Sequence, residues 1–313
     1  MVQTLVAYRK RGGLAMSYID AHAHIFEQLC GFGADGELRA LPNGKAVWAT
    51  GEVIDLIPSS YGDTTFPAER LLETMDAHLV EKAVLLQGGF LGFANHYLQE
   101  ITMKYPTRFR AAATFDPWCR NAQKILDNLL KSFSIFKFEM STGCGIMGSH
   151  PDFALDNSLM MGFYEQIAAK KGVLVFDLGS PGDGSHQPKA ISNIAKQFPA
   201  LEVVVCHLAS PRRHHKIELT EALQTMKAEN IHFDLAALHH KVRPEAYPFP
   251  TAQAFINLAK NIAGSEHLMW GTDAPSTLVQ YSYQQLLDYQ LALFSEKEQK
   301  MVFHDNAQRL YFS

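Results

Sequence analysis

Eight short apolar runs, most of them followed by a helical stretch, constrain the fold of this 313-residue chain more than any other feature. Each run is rich in β-branched or apolar residues and ends in polar ones, which is typical of a buried strand. The runs cover residues 18–24, 82–88, 109–116, 134–140, 172–179, 201–208, 231–238 and 267–273. Strands that alternate with helices pair in parallel through crossovers, so the pattern predicts an α/β fold.

Helical segments between the runs support this pattern. They occupy residues 67–79, 95–105, 121–133, 159–172, 187–198 and 251–264. Pro67 stands at the expected first turn of the first segment and Gly172 closes the fourth, as these residues commonly do. Eight strand–helix units in about 250 residues predict a (β/α)8 TIM barrel over residues 18–313. A doubly wound open sheet is the alternative, but no GxGxxG motif follows the first run.

The connection from the first run to the second is too long for a plain crossover. Residues 27–66 contain an Asn43-Gly44 pair flanked by alternating residues, which predicts a hairpin turn. We interpret the segment as a small hairpin or lid over the barrel mouth, with a surface insertion as the alternative. Residues 1–17 are interpreted as an N-terminal extension because Met16 directly precedes the first run, with an ordered strand or helix as the alternative.

Composition limits the classes of partner. The formal net charge is −4 and no basic stretch could follow a phosphate backbone, so nucleic acid is not expected as a partner. No apolar run approaches the roughly 18 residues of a membrane span. At the start of the chain the basic residues follow the apolar ones, which is the reverse of their order in a signal peptide. The four cysteines lack CxxC spacing, which favours reduced thiols in a cytoplasmic protein. We expect a small-molecule substrate and no membrane association, and leave a homodimer open.

The first run, YIDAHAHIF, places two histidines two residues apart. Such residues face the same side of a strand, so His22 and His24 are expected to point together, with Asp20 on the same face below them. In a TIM barrel that face is the interior, and active sites form at the C-terminal strand ends. Two convergent imidazoles are half of a divalent metal site. Hydrogen-bonded core histidines are the alternative.

Two other runs end in residues that could join the same site. The last, HLMWGTDAP, contains Asp273, which can bind a metal, accept a proton from metal-bound water, or cap the following turn. The sixth, VVVCHLAS, contains His207 at the equivalent height. A histidine after four apolar residues needs a polar partner, which such a site would supply.

Together, the HxH motif, the strand-end histidine and the terminal aspartate resemble the amidohydrolase superfamily, and more closely its amidohydrolase-2 branch. The similarity runs from about residue 18 to the end and rests on YIDAHAHIF, YLQEITMKYPTRFRAAATFDP, VVVCHLAS, HLMWGTDAP and the closing NAQRLY. That branch holds decarboxylases of aminocarboxymuconate semialdehyde and resorcylate, and lactonases of dicarboxylic ring compounds. The resemblance implies a metal-dependent TIM-barrel enzyme.

The resemblance also implies a role for each residue. His22 and His24 match first-strand metal ligands, Asp273 matches an eighth-strand aspartate, and His207 matches a substrate-side acid, base or electrophile. Where the family usually has a fifth-strand histidine ligand, VLVFDLGSP offers Asp177. Zinc is the metal implied by the family, and a bound Asp177 would shift the preference towards manganese or magnesium. Without that ligand the site would be weak or empty, as in the lactonases of this branch that work without metal.

Three further residues are candidate substrate contacts. Lys137 and Glu139 share a face of the fourth run, where Lys137 could clamp a substrate carboxylate and Glu139 could be a ligand or an acid/base. An ion pair that fills the barrel is the alternative. Arg212 lies in SPRRHHK after the sixth run, which could hold an anionic substrate beyond the barrel mouth, or be the solvated start of a helix.

The leading hypothesis is a metal-dependent hydrolase of the amidohydrolase-2 type that acts on a small, carboxylate-bearing amide or lactone. A non-oxidative decarboxylase (carboxy-lyase) on the same site, a metal-independent lactonase and a non-catalytic ligand-binding barrel are the alternatives. The joint presence of His22, His24, His207 and Asp273 argues against the last, because a decayed site would not keep all four.

Overall fold

Parallel strands dominate the computed structural model, which describes residues 16–62 and 64–313. The predicted extension at residues 1–17 therefore lies mostly outside the described residues. The strands of the described chain are Tyr18–Ala23 (β1), Gly31–Gly33 (β2), Gly36–Leu41 (β3), Lys45–Trp48 (β4), Val53–Asp55 (β5), Val80–Leu85 (β6), Phe109–Ala113 (β7), Ile135–Glu139 (β8), Val173–Asp177 (β9), Glu202–Val205 (β10), Ile231–Asp234 (β11) and Leu268–Met269 (β12). Eight of them form one sheet in the order β1-β6-β7-β8-β9-β10-β11-β12, and every pair in it is parallel.

The sheet curls until its first strand meets the chain that follows its last. At this seam the N–H of Asp273 donates to the carbonyl of His22 at 2.7 Å, and the N–H of His24 donates to the carbonyl of Ala274 at 2.9 Å. The result is a nearly closed barrel, so the predicted (β/α)8 fold is confirmed and the open sheet was the wrong alternative. The seam also places the ends of β1 and β12 side by side.

Helices follow the strands and cover the outside of the barrel. They span Ala68–Ala77 (α1), Asn95–Lys104 (α2), Ala122–Leu129 (α3), Ile146–Ser149 (α4), Ser158–Ala168 (α5), Pro188–Gln197 (α6), Lys216–Thr225 (α7), Leu238–Lys241 (α8), Pro250–Ala263 (α9), Tyr283–Leu291 (α10), Glu296–Lys300 (α11) and Asn306–Tyr311 (α12). Short 3₁₀ or π turns lie at Ser59–Tyr61, Cys206–Ala209, Ser265–His267, Ser276–Val279 and Met301–Asp305. All the predicted helices form. Among the described residues, none of the helices has the length and apolar character needed to cross a bilayer.

Two apolar layers hold the barrel together. Side chains such as Ile19, Val84, Val175 and Val204 form a small inner cluster, which Tyr311 of α12 joins. A larger cluster packs the outer faces of the strands against the helices. Because both faces are buried, the strands read as continuous apolar runs, and this is why the sequence shows them so clearly.

The predicted hairpin is part of a four-stranded antiparallel sheet, β2-β3-β4-β5. Residues 42–44 form its turn between the register partners Leu41 and Lys45, and Asn43 and Gly44 there have left-handed φ values of 61° and 72°. The N–H of Phe32 donates to the carbonyl of Gly89 at 2.8 Å, which ties the insertion to the loop after β6. A Cβ on Gly31 would lie 2.1 Å from the carbonyl of Phe90, so this close approach requires glycine. The insertion thus lies at the C-terminal ends of the barrel strands, as a lid would.

The carboxylate of Glu298 links α11 to α9. Glu298 completes the capping box of α11 with Ser295, and it also accepts hydrogen bonds from Lys260 at 2.9 Å and from Ser265 at 3.0 Å. The Lys260 ammonium, together with the Ser295 hydroxyl, lowers the pKa of Glu298 to about 2. The ionised form therefore stabilises the folded state.

We predict that Glu298→Gln lowers the free energy of unfolding by about 1–2 kcal/mol at pH 7, because charge-assisted hydrogen bonds are lost. A depressed pKa stabilises the fold above the unfolded value of 4.5, and that contribution is lost as the pH falls towards 2. Urea unfolding at pH 7 and pH 3 should show the difference between wild type and variant shrinking at the lower pH. Glu296→Gln, an exposed neighbour in the same turn, is the control. An equal difference at both pH values would contradict the prediction.

Candidate active site

A register slip in β1 directs the two histidines of the HxH motif into the barrel. The pairing of β1 with β6 slips between Asp20 and Ala23, and such a bulge changes which side chains face inwards. The carboxylate of Asp20 instead accepts from the hydroxyls of Thr272 at 2.6 Å and Tyr283 at 2.7 Å. Tyr283 belongs to the outer layer, on α10. The expectation that Asp20 shares the face of His22 and His24 was wrong, because strict alternation does not survive the bulge.

The strand ends bring His22, His24 and Asp273 together, although the chain separates them by about 250 residues. The Nε2 atoms of the two histidines lie 3.2 Å apart. Oδ1 of Asp273 lies 2.9 Å from Nε2 of His24 and 3.4 Å from Nε2 of His22. A tetrahedral zinc with bonds of about 2.0–2.1 Å holds its ligand atoms roughly 3.3 Å apart. The spacing of these atoms therefore suits such an ion.

The Nδ1 atoms of both histidines are held by acceptors. Nδ1 of His24 lies 2.8 Å from the carbonyl of Leu86, which can only accept, so this nitrogen carries a proton. Nδ1 of His22 lies 2.9 Å from Oδ2 of Asp234. Burial lowers the pKa of His22 to about 4, so its ring is neutral at pH 7. Nε2 of His22 then presents a lone pair to Nε2 of His24 and to the carboxylate of Asp273, which is an arrangement that a cation satisfies.

His207 lies against this group at the end of β10. Its ring stacks on that of His22, with 4.7 Å between the centroids. One ring nitrogen of each histidine and a carboxylate oxygen of Asp273 all lie within 4.8 Å of one another. Its Nδ1 lies 2.9 Å from the carbonyl of Ala236. The backbone of residues 207–210 is left-handed throughout, with φ between 50° and 59°, a strained conformation for residues with side chains.

Asp177 approaches His207 and not the first-strand pair. Its Oδ2 lies 3.5 Å from Nε2 of His207, and its Oδ1 accepts from the N–H of Gly179 at 3.2 Å. Burial raises the pKa of the Asp177 carboxyl, but the contact with His207 and the charge of Lys241 hold it well below its usual range. The same contact raises the pKa of His207 against the effect of burial. The pair therefore favours a carboxylate beside a protonated imidazole.

Asp234 is a site residue that sequence reasoning missed. Its carboxylate contacts Nδ1 of His22 and accepts from the N–H groups of His207 and Ala236, at 2.8 and 3.1 Å. It thus orients the imidazole of His22 and holds the backbone of His207. The available signal was its position: like Asp177 and Asp273, it follows an apolar run at a strand end.

Lys137 and Glu139 both lie at the end of β8, but within the described chain no ion pair of 4.0 Å or less joins them. Lys137 is buried, with 3% of its surface exposed, and neighbouring acidic groups raise its pKa although burial lowers it. Glu139 is the register partner of Asp177 on β9. Burial, with some help from the Asp177 charge, raises the pKa of Glu139 to about 7. Glu139 can therefore hold or release a proton near neutral pH.

Arg212 lies outside this group. Its side chain is exposed, and its Nε donates to the hydroxyl of Ser180 at 3.4 Å. It precedes α7, as expected for the solvated start of a helix.

A cavity of about 400 Å³, here called the side cavity, adjoins the site. Glu139 and the aromatic residue Phe93 line it, together with loops after β6, β7 and β8 and the insertion. Trp48, by contrast, is buried against Phe90 in the outer core. The side cavity and the strand-end residues therefore share Glu139.

Solved structures of similar fold include three whose names describe enzymes. A probable 2-pyrone-4,6-dicarboxylic acid hydrolase from Acinetobacter baumannii, with citric acid bound, has a TM-score of 0.69 and 18% identity, covering 95% of this chain and 100% of its own. An amidohydrolase from Burkholderia multivorans with bound zinc has a TM-score of 0.71 and 14% identity, covering 95% and 99%. The 5-carboxyvanillate decarboxylase of Sphingomonas paucimobilis has a TM-score of 0.55 and 16% identity, covering 78% and 82%. At these identities the likeness concerns the fold.

A search of curated proteins finds no matching relative. The family model described as Amidohydrolase, in contrast, matches residues 19–312, which is nearly the whole barrel. The match confirms the resemblance drawn from the strand-end motifs and the prediction of an enzyme of this type. The chain belongs to the amidohydrolase family, in the amidohydrolase-2 group.

Proposed function

We propose that this protein is a metal-dependent hydrolase that cleaves the acyl C–N or C–O bond of a small, carboxylate-bearing amide or lactone. The observation that carries the proposal is the convergence of Nε2 of His22, Nε2 of His24 and Oδ1 of Asp273 within 3.4 Å of one another. Because both Nδ1 atoms contact other acceptors, the two Nε2 atoms are the ring nitrogens that can bind a metal ion beside the carboxylate of Asp273. His22, His24 and Asp273 would hold the ion.

Two imidazoles and a carboxylate suit zinc, and the related Burkholderia multivorans structure contains zinc. When bound, a divalent ion supplies a Lewis acid for the substrate carbonyl and lowers the pKa of a water molecule. We place Asp177 in the proposal as the partner of His207, because His207 is its closest imidazole. Its predicted role as a further ligand, with the accompanying preference for manganese or magnesium, remains a prediction.

The remaining chemistry is assigned to the chain's own residues. Asp273 takes the proton from the attacking water, since its side chain is 18% exposed and reaches the site opening. His207, protonated beside Asp177, donates a hydrogen bond to the developing oxyanion and can then protonate the leaving group. Asp234 holds His207 through its backbone N–H. Lys137 supplies a buried positive charge beside the centre, where we place the predicted carboxylate of the substrate.

Decarboxylation is the second candidate, and Glu139 favours it. A carboxyl group that holds a proton near neutral pH can deliver it to the carbon from which CO₂ departs. The similar fold of 5-carboxyvanillate decarboxylase shows that the scaffold hosts this reaction in another protein. Assays with lactones and with aromatic carboxylates distinguish the two reactions by the product formed.

We predict that the full chain, purified without chelator, carries about one zinc per molecule. His24→Ala should weaken zinc binding and turnover by at least about 100-fold, because removing a ligand costs no less than removing a residue that only orients one. Metal analysis and competition with a chromophoric chelator measure the affinity. His214→Ala, at an exposed histidine outside the site, is the control.

Other outcomes select the alternatives. Lactonase activity that survives chelator in a metal-free protein would support the metal-independent lactonase. No metal and no turnover on a panel of lactones, amides and carboxylates would leave the non-catalytic ligand-binding barrel.

We also predict that Asp234→Asn lowers zinc affinity by about 10–100-fold, although Asp234 would not touch the ion. The amide keeps the shape but loses the charge that fixes the tautomer of His22, and such residues have effects of this size. The affinity is measured by the same chelator competition, with Asp288→Asn on the exposed face of α10 as the control. Unchanged affinity in a folded Asp234→Asn protein would show that Asp234 does not position the imidazole.

A further inference from the structure

The side cavity has no part in the steps assigned above, yet it adjoins the residues that perform them. Its volume of about 400 Å³ lies in the range of small-molecule sites. Glu139 lines it and is paired in register with Asp177 on the neighbouring strand. A substrate with its reacting carbonyl at the centre would therefore extend the rest of its structure into this cavity.

Aromatic rings form the apolar walls of the side cavity. Phe32 of β2 and Phe93 of the loop after β6 both line it, and they are 57% and 47% exposed. Trp118 extends the rim, since its ring lies 5.4 Å from that of His150, a further lining residue. Exposed rings beside a catalytic centre offer flat apolar faces to a ligand ring, and contact with one would remove this area from water.

The polar lining is acidic. Oδ2 of Asp116 lies 2.8 Å from Nε2 of His150, and Oδ1 of Asp116 accepts from the N–H of Trp118 at 2.9 Å. Asp116 and His150 remain 29% and 27% exposed, so a ligand can reach them. Among the described residues that line the cavity, Asp116 and Glu139 are carboxylic acids and none is a lysine or arginine. A carboxylate ligand would meet like charge here, whereas a hydroxyl could donate to Asp116.

We propose that the side cavity binds a neutral ring of the substrate that carries a hydroxyl group, with the ring against Phe32 and Phe93 and the hydroxyl on Asp116. The inference deepens the proposed function and rests on it for the position of the reacting carbonyl. It also assigns each end of the substrate to a place. The negatively charged end lies at the metal centre beside Lys137, and the end in the side cavity is uncharged.

Phenol and benzoate test this assignment, because they share a ring and differ in a hydroxyl against a carboxylate. Ligand-observed NMR titration of the full chain, at pH 8 with one equivalent of zinc, gives both dissociation constants. Benzoate also has a binding place at the metal centre, so the informative quantity is how the ratio of phenol affinity to benzoate affinity changes in a variant. Asp116→Asn should lower this ratio about fivefold, because the hydroxyl acceptor loses its charge and the repulsion of benzoate in the cavity falls. Benzoate bound to the metal contributes equally in both proteins.

Phe93→Ala should weaken phenol binding about fivefold, because one wall of the cavity is lost. Ile217→Ala, at another exposed apolar residue, and Asp288→Asn are the matched controls. An affinity ratio that Asp116→Asn leaves unchanged, or phenol binding that neither the variant at Phe93 nor the variant at Asp116 alters, would overturn the assignment. The zinc content of the same samples separates the two proposals: zinc bound without phenol binding refutes only the ring site, whereas absence of zinc refutes the metal-dependent function.

Discussion

The candidate site depends on one constraint: each imidazole is fixed at Nδ1 by an acceptor. A carbonyl holds His24, another holds His207, and the carboxylate of Asp234 holds His22. A nitrogen bound to such an acceptor carries the proton, so Nε2 of each ring is the nitrogen that faces the barrel interior. In the neutral ring of His22 this nitrogen is a lone pair, whereas in His207 it carries a second proton beside Asp177. The strand ends set where these nitrogens meet, and the acceptors set which nitrogen of each ring faces inwards.

The buried charges, like the geometry of the site, favour a cation beside the carboxylates. Asp234 is buried and Asp177 and Asp273 are mostly buried, with 13% and 18% of their side chains exposed. Lys137 and the protonated imidazole of His207 are the cations beside them. Burial of unpaired negative charge is costly, so carboxylates gathered this closely call for a compensating positive charge. In the proposed function a divalent ion supplies it at the centre. The side cavity is also lined by carboxylic acids, Asp116 and Glu139, but it lies beside the proposed metal centre and not at it. The two regions are therefore assigned different parts of a substrate.

The sequence predicted the barrel and much of the site for a clear physical reason. Strands buried on both faces read as apolar runs, and the polar residue that ends each run marks the barrel mouth. His22, His24, His207 and Asp273 were found in this way, and the structure brings them together. The predicted orientation of Asp20 was wrong because a bulge cannot be recognised from the alternation of residues in a sequence. Asp234 and the pairing of Asp177 with His207 escaped because contacts between neighbouring strands depend on register, which a single sequence does not reveal.

The seam between β1 and the segment after β12 has a consequence for biosynthesis. Residues 22–24 leave the ribosome first, and their partners at 273–274 emerge about 250 residues later. During most of translation the nascent polypeptide therefore holds the two imidazoles without the carboxylate of Asp273 beside them. The three side chains meet only after the segment that follows β12 has left the exit tunnel, so a prematurely terminated product would lack the assembled site.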